Sequence, residues 1–177
     1  KKYDYKLLKI NPFRDQGKII SSTGIRKCLQ TGNLDLANKL LSRTWFIDGR
    51  VKRGKKLGRK LGYRTCNIYI KNYIIPKVGI YAVKVLIGNT RNIYRGVSYL
   101  GWRPTFGGKK VFLETNIFGI KKNLYKKRLR VYFIKFIRMD KKFKNSAKLI
   151  NQMNKDVIFA KKGLKTKLVL WVRIILI

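Results

Sequence analysis

Three glycines spaced four residues apart, Gly54, Gly58 and Gly62, stand among Lys55, Lys56, Arg59 and Lys60, and the run continues into Tyr63-Arg64-Thr65-Cys66-Asn67. Glycine lets a backbone approach a ligand closely and take up positive φ. Successive N–H groups in such a turn form a concavity for anions. Thr65 and Asn67 alternate, so both side chains fall on one face of a following strand. A hydroxyl and a side-chain carbonyl are hard oxygen donors of the kind Mg2+ takes beside substrate phosphates. A basic surface turn ahead of a strand would show the same spacing, because glycine-rich loops are weak motifs by themselves. The second reactive residue is Glu114, the only glutamate in the chain. It sits in Val111-Phe-Leu-Glu-Thr-Asn-Ile-Phe118, apolar and β-branched enough for a strand. Alternation puts Phe112, Glu114 and Asn116 on one face and Val111, Leu113, Thr115 and Ile117 on the other. In a chain with 44 Lys and Arg against 7 acids, this carboxylate either neutralises a neighbouring cation or, held in a pocket, takes a proton from a hydroxyl.

Such groups need a stiff support, and the pattern supplies strands. Candidates are Phe46–Val51, Asn67–Ile70, Gly79–Ile87, Ile93–Leu100, Val111–Phe118 and Leu129–Ile137. Gly88-Asn89 reads as a hairpin turn, and Gly107-Gly108-Lys109-Lys110 separates another pair. Short strands at regular spacing predict a mainly β fold, barrel or sandwich, without choosing between them. Helical signals flank this region. Ser21-Ser22-Thr23 can cap a helix, and Ile25, Leu29, Leu34, Leu36, Leu40 and Leu41 suggest two short helices broken near Gly32-Asn33. Asn145-Ser146 can cap another, in which Ala147, Leu149, Ile150, Met153 and Val157 recur at helical spacing and are expected to pack on the sheet as core. The division expected is 1–44 helical, 45–162 the β domain, and 163–177 an apolar tail without an assigned role. That tail is too short to span a membrane, and no signal-peptide pattern precedes the first helix.

A net charge of +37 and a pI near 10.7 fit an RNA-binding or ribosome-associated basic β-barrel protein. The positives, however, are spread along the chain and accompany an excess of Lys, Ile, Asn and Tyr, as A/T-rich coding produces. They predict nonspecific nucleic-acid binding at low salt. Cys28 and Cys66, without any histidine, make no zinc site by spacing and suit reduced thiols in a cytoplasmic protein.

The ordered set Gly54-x3-Gly58-Arg59-x-Leu61-Gly62-x-x-Thr65-x-Asn67-Ile68, Gly79-Ile80-Tyr81-Ala82-Val83, Gly101-Trp102-Arg103-Pro104-Thr105-Phe106 and Leu113-Glu114-Thr115 resembles riboflavin kinase. Asn123-Leu124-Tyr125, Leu129-Arg130-Val131, Ile137-Arg138, Lys142-Phe143 and Asp156 continue the match, which covers residues 18 to 162. It is most similar to the kinase module of bifunctional riboflavin kinase/FAD synthetase. The resemblance implies a closed six-stranded antiparallel β-barrel with a C-terminal helix and a short N-terminal helical segment. It implies phosphoryl transfer from ATP to the terminal ribityl hydroxyl of riboflavin, giving FMN, in a cytoplasmic monomer. Glu114 would be the base; Gly54, Gly58, Arg59, Lys60 and Gly62 would hold the phosphates; Thr65 and Asn67 would touch Mg2+, with Zn2+ or Mn2+ as alternatives. Arg138, Phe143 and Tyr125 would meet the flavin, residues 138–143 forming a flap. Ser-Ser-Thr-x-Ile-Arg at 21–26 closes the nucleotidyltransferase domain in that family, so 1–44 reads as its remnant. With only residues 1–20 ahead of that signature and no histidine for the adenylyltransferase motif, the FAD synthetase half is expected to be absent. Four positions depart from the family pattern: Arg64 replaces proline, Tyr99 asparagine, Asn116 histidine and Lys126 glycine. They keep a degenerate flavin-binding module without catalysis open as an alternative.

Overall fold

Along Val111–Ile117 only alternate residues enter the interior, and the rest of the architecture follows from that alternation. Val111, Leu113 and Ile117 join the central apolar cluster, whereas Glu114 and Asn116 stay half-buried on the outer face. The computed structural model describes residues 11–54, 57–105 and 108–164. A two-stranded hairpin, β1 (Arg14–Asp15) and β2 (Lys18–Ile19), precedes α1 (Ser22–Thr31) and α2 (Leu34–Leu40). Then come β3 (Phe46–Lys52), α3 (Leu57–Lys60), β4 (Cys66–Tyr69), β5 (Gly79–Ile87), β6 (Ile93–Thr105), β7 (Gly108–Ile117), β8 (Arg128–Arg138) and α4 (Ser146–Gly163). The six strands from β3 to β8 close into a barrel in the order β3-β4-β7-β6-β5-β8, every pair antiparallel. Closure removes the open edges that would otherwise invite pairing with another chain.

Tyr81, Val83, Val85, Leu100, Leu113, Leu129, Val131 and Phe133 fill the interior at full burial. Tyr81 and Phe133 meet edge-to-face at 4.8 Å, and Trp45 meets Phe133 at 4.9 Å. Buried Ser98 and Thr115 satisfy each other at 2.8 Å between adjacent strands. Strand β8 skips one residue against β5 between Ala82 and Val83 and again between Ile80 and Tyr81. The extra residues are Ile134 and Ile137, and both pack under α4 with Ala82, Ala160 and Leu164. Bulges of this sort bend a strand and re-aim its side chains.

The expected helices are present, with their expected caps. Ser21 Oγ accepts from the Gly24 N–H, Gly32 ends α1 at φ 82°, Asn33 caps α2 and Asn145 caps α4. The helices α1 and α2 are not a separate layer: Leu29, Leu34 and Ala37 belong to the same cluster as the barrel interior. Asn38 ties them to it, donating to Phe133 O and accepting from the Trp45 N–H. Helix α4 differs from expectation. Its buried residues are Asp156 and Ala160, with Leu164 buried just past its end, while Ala147 is exposed. Leu149, Met153 and Val157 face a cavity instead of a closed core. The apolar stretch 168–177 lies outside the described residues. No described helix is long and apolar enough to cross a membrane.

Candidate active site

Register lays a row of side chains around the outside of the barrel. Lys52 pairs with Asn67, Asn67 with Glu114, Glu114 with Tyr99, Tyr99 with Ile80 and Ile80 with Arg138. Residues directly opposite across strands share a face and lie within side-chain reach. Asn67 and Glu114, 47 positions apart in number, are therefore neighbours on the wall by strand pairing alone.

Two cavities open on this row and share Thr65. The first, about 460 Å³, is walled by Lys52, Arg53, Arg59, Arg64 and Lys122, with no acid among its described lining residues. Gly54, Thr65, Asn67 and Tyr125 also line it, above an apolar floor of Val51, Ile117, Ile120 and Leu124. Arg53 lies 5.2 Å from the centre of the Tyr125 ring. The second cavity, about 370 Å³, is walled by Gly58, Thr65, Glu114 and Tyr99 on the barrel side. Arg138, Asp140 and Phe143 close it from the 138–143 segment, and Leu149, Met153 and Val157 close it from α4. The Oε1 atom of Glu114 is buried there.

The glycine loop is a short helical turn with a Schellman end. The Tyr63 N–H returns to Gly58 O at 2.8 Å and the Gly62 N–H to Arg59 O at 3.2 Å, with Gly62 at φ 83°. The Gly62 N–H is thus engaged within the turn, and Gly62 lines neither cavity. In the sequence reading Gly62 joins the anion cradle; in the structure its N–H closes the turn. Gly54 and Gly58 serve differently. A Cβ on Gly54 would fall 2.4 Å from Asn67 Nδ2, and one on Gly58 would fall 2.7 Å from Tyr63 O and 3.3 Å from Thr65 Oγ1. The loop presses its bare backbone onto the two candidate ligands and leaves no room for a methyl group. The Lys60 side chain lies outside the described residues.

Arg138 is engaged by α4. Its Nε and Nη2 reach the two carboxylate oxygens of Asp156 at 2.8 and 2.6 Å, and its Nη1 reaches Met139 O at 3.0 Å. Asp156 is 4% exposed and also accepts from Gln152 Nε2 at 3.0 Å. This bidentate pair holds α4 over the second cavity, with the Arg138 guanidinium 5.9 Å from the Phe143 ring. Tyr63 reaches Asn154 Oδ1 across the cavity mouth, and Tyr99 donates to Asp140 Oδ2 at 2.8 Å. Burial, and then the Asp156 charge, push the Tyr63 phenol above its usual pKa. Burial pushes the Cys66 thiol up to about 11, which keeps it protonated near pH 7 while the segment stays closed.

Gly54, Arg59, Thr65 and Asn67 therefore come together in the basic cavity, and Gly58, Glu114, Arg138 and Phe143 in the other. Tyr125, grouped in the sequence with Arg138 and Phe143, sits on the basic side instead. Sequence reasoning named Asp140 only as part of the 138–143 flap and gave Tyr63 no role as a cavity wall; single polar residues outside any period give no signal.

A metal would have to be held by few protein atoms. No group of three or more His, Cys, Asp and Glu that could hold one occurs among the described residues. Thr65 Oγ1 and Asn67 Oδ1 are hard donors held against a backbone cradle that a Cβ would fill, which fits an ion carried mostly by substrate phosphates.

Comparison with known proteins bears on the same residues. The family model "Flavokinase: Riboflavin kinase" matches residues 41–164. The chain is 39% identical over 163 residues to the bifunctional riboflavin kinase/FMN adenylyltransferase of Buchnera aphidicola subsp. Schizaphis graminum, covering 90% of this chain and 52% of that one. It is 37% identical to the Bacillus subtilis protein of the same description, covering 83% of this chain and 47% of that one. The chain thus spans about half the length of the curated relatives it matches. Among solved structures, the crystal structure of the macrolide-efflux protein from Streptococcus pneumoniae superposes with a TM-score of 0.78 at 33% identity, over 86% of this chain and 50% of that one.

Proposed function

The chain belongs to the riboflavin kinase family, and from that premise we propose that it transfers the γ-phosphoryl group of ATP to the terminal ribityl hydroxyl of riboflavin, giving FMN and ADP. Members of this family use ATP and riboflavin with a divalent metal. The observation that carries the reading is the meeting of two unlike cavities at Thr65, with Glu114 opposite Asn67 in register.

In this reading the nucleotide occupies the basic cavity. Arg59, Arg53 and Lys122 attract its phosphates, and Gly54 lets the backbone lie against them. Tyr125, with its ring toward Arg53, offers a face for the base on that side. The flavin occupies the second cavity, against Phe143, Met153 and Val157. Arg138 acts on the flavin by holding α4 through Asp156, which shapes that cavity. Thr65 and Asn67 are the residues that would hold Mg2+, or Zn2+ or Mn2+ in its place, which when bound screens charge on the phosphate oxygens. The ribityl oxygen attacks the γ-phosphorus while the bond to the β–γ bridging oxygen breaks. The hydroxyl proton passes to the Glu114 carboxylate. Phosphoryl transfer of this type depends chiefly on positioning and charge, which suits a wall built from rigid paired strands. The nucleotide substrate makes the cytoplasm the proposed place of action.

Purified protein with ATP, Mg2+ and riboflavin should yield FMN, followed by chromatography. Riboflavin fluorescence quenching without product would leave a flavin-binding module, and the absence of both quenching and product would overturn the reading.

A further inference from the structure

Strand β4 begins its ladder at Cys66, whose partner is Thr115. Thr65 therefore precedes the first paired residue, and the barrel's own strand pairing does not hold it. Two bonds converge on the residue just before it. Asn116 Nδ2 donates to Arg64 O at 2.7 Å, and Arg64 Nη1 donates to Lys121 O at 2.5 Å. One anchors the backbone of residue 64 to β7, the other its side chain to the turn after β7. Asn116 stands two residues beyond Glu114, on the same face of the strand and in the same cavity wall. On the opposite side Thr65 is backed by Gly58, so the threonine is gripped between the glycine turn and the tethered residue 64.

We propose that Asn116 is a positioning residue, which fixes Thr65 for its part in nucleotide binding through the Arg64 carbonyl. This rests on the kinase reading above. Where the family pattern has proline at 64, a ring would fix φ near about −65°. Arginine leaves that torsion loose, and the Asn116 amide restores the restraint from outside the backbone.

Cys66, next to Thr65, is a built-in reporter. In a Cys28→Ser background it is the sole thiol, and its labelling rate with DTNB at fixed pH, without metal or nucleotide, reads the looseness of this segment. Asn116→Ala and the near-isosteric Asn116→Asp, which lacks the amide donor, should each raise that rate about tenfold, the scale of one lost hydrogen bond. The KM for Mg–ATP should rise by a similar factor. Adding Arg64→Pro to Asn116→Ala should return both values toward wild type, which a lost contact between Asn116 and flavin could not explain. Circular dichroism confirms that each variant is folded. Labelling within twofold of wild type in both single variants, or no recovery in the double variant, overturns the proposal. If wild-type protein makes no FMN, the kinase reading fails separately, and the labelling rates alone decide whether the tether exists.

Discussion

The cavity beside the glycine turn gathers five cations and no acid among its described walls, whereas its neighbour across Thr65 gathers Glu114, Asp140 and Asp156, three of the chain's seven acids. In a protein of net charge +37, the first composition carries little information. Almost any concavity on such a surface would be basic, and nonspecific attraction of polyanions follows from charge alone. The second composition is different, because acids are scarce and three of them converge. Each has a distinct place: Glu114 on the barrel wall, Asp140 held by Tyr99, and Asp156 paired to Arg138. What distinguishes a site here is the rare residue type.

If the two cavities serve different substrates, damage to one should spare the other. The largest effect is expected at Glu114. Glu114→Gln should lower kcat by about 10²- to 10⁴-fold, with the KM for ATP little changed, as steady-state kinetics would show. An ATP KM that moved as far as kcat would erase the distinction between the cavities. Next is Asp156→Ala, which strands the Arg138 guanidinium in a poorly solvated place. Urea denaturation should show a loss of about 3 kcal/mol, and the surviving folded protein should bind riboflavin more weakly. On the basic side, Gly54→Ala places a methyl group against the Asn67 amide. It should raise the KM for Mg–ATP about tenfold, roughly the 1.4 kcal/mol of one displaced polar contact, and leave riboflavin affinity unchanged in fluorescence titration. The smallest effect is a gain. Lys126 holds φ 65° beside Tyr125, a left-handed conformation that glycine adopts at no steric cost. Lys126→Gly should stabilise the fold by about 1 kcal/mol in thermal or urea melts, without touching the second cavity.

The strands were legible as short apolar, β-branched runs between turn signals, and Gly79–Ile87, a nearly continuous apolar run, was bounded correctly. Strand β6 runs on past Leu100 to Thr105, through Pro104, which in a sequence argues against a strand interior. The bulges at Ile134 and Ile137 were invisible because an inserted residue breaks the very period by which strands are recognised. Closure into a barrel was legible only through resemblance, since sandwiches and barrels share their strand patterns. At the site, residue types announced Thr65, Asn67 and Glu114, and alternation put the expected set on the outer face of β7. Their proximity needed the pairing of β4 with β7, a long-range register that spacing along the chain does not encode. The Gly62 hydrogen bond and the Arg138–Asp156 pair illustrate the same limit. A composition shows what a group can do, and only geometry shows what already occupies it.

The helices α1 and α2 have one more consequence. Because Leu29, Leu34 and Ala37 are continuous with the barrel interior, they complete its apolar core from outside the strands. A chain cut at Trp45 would leave part of that apolar lining open to water. The segment that reads as the tail of a neighbouring domain is, to the barrel, structural ground it stands on.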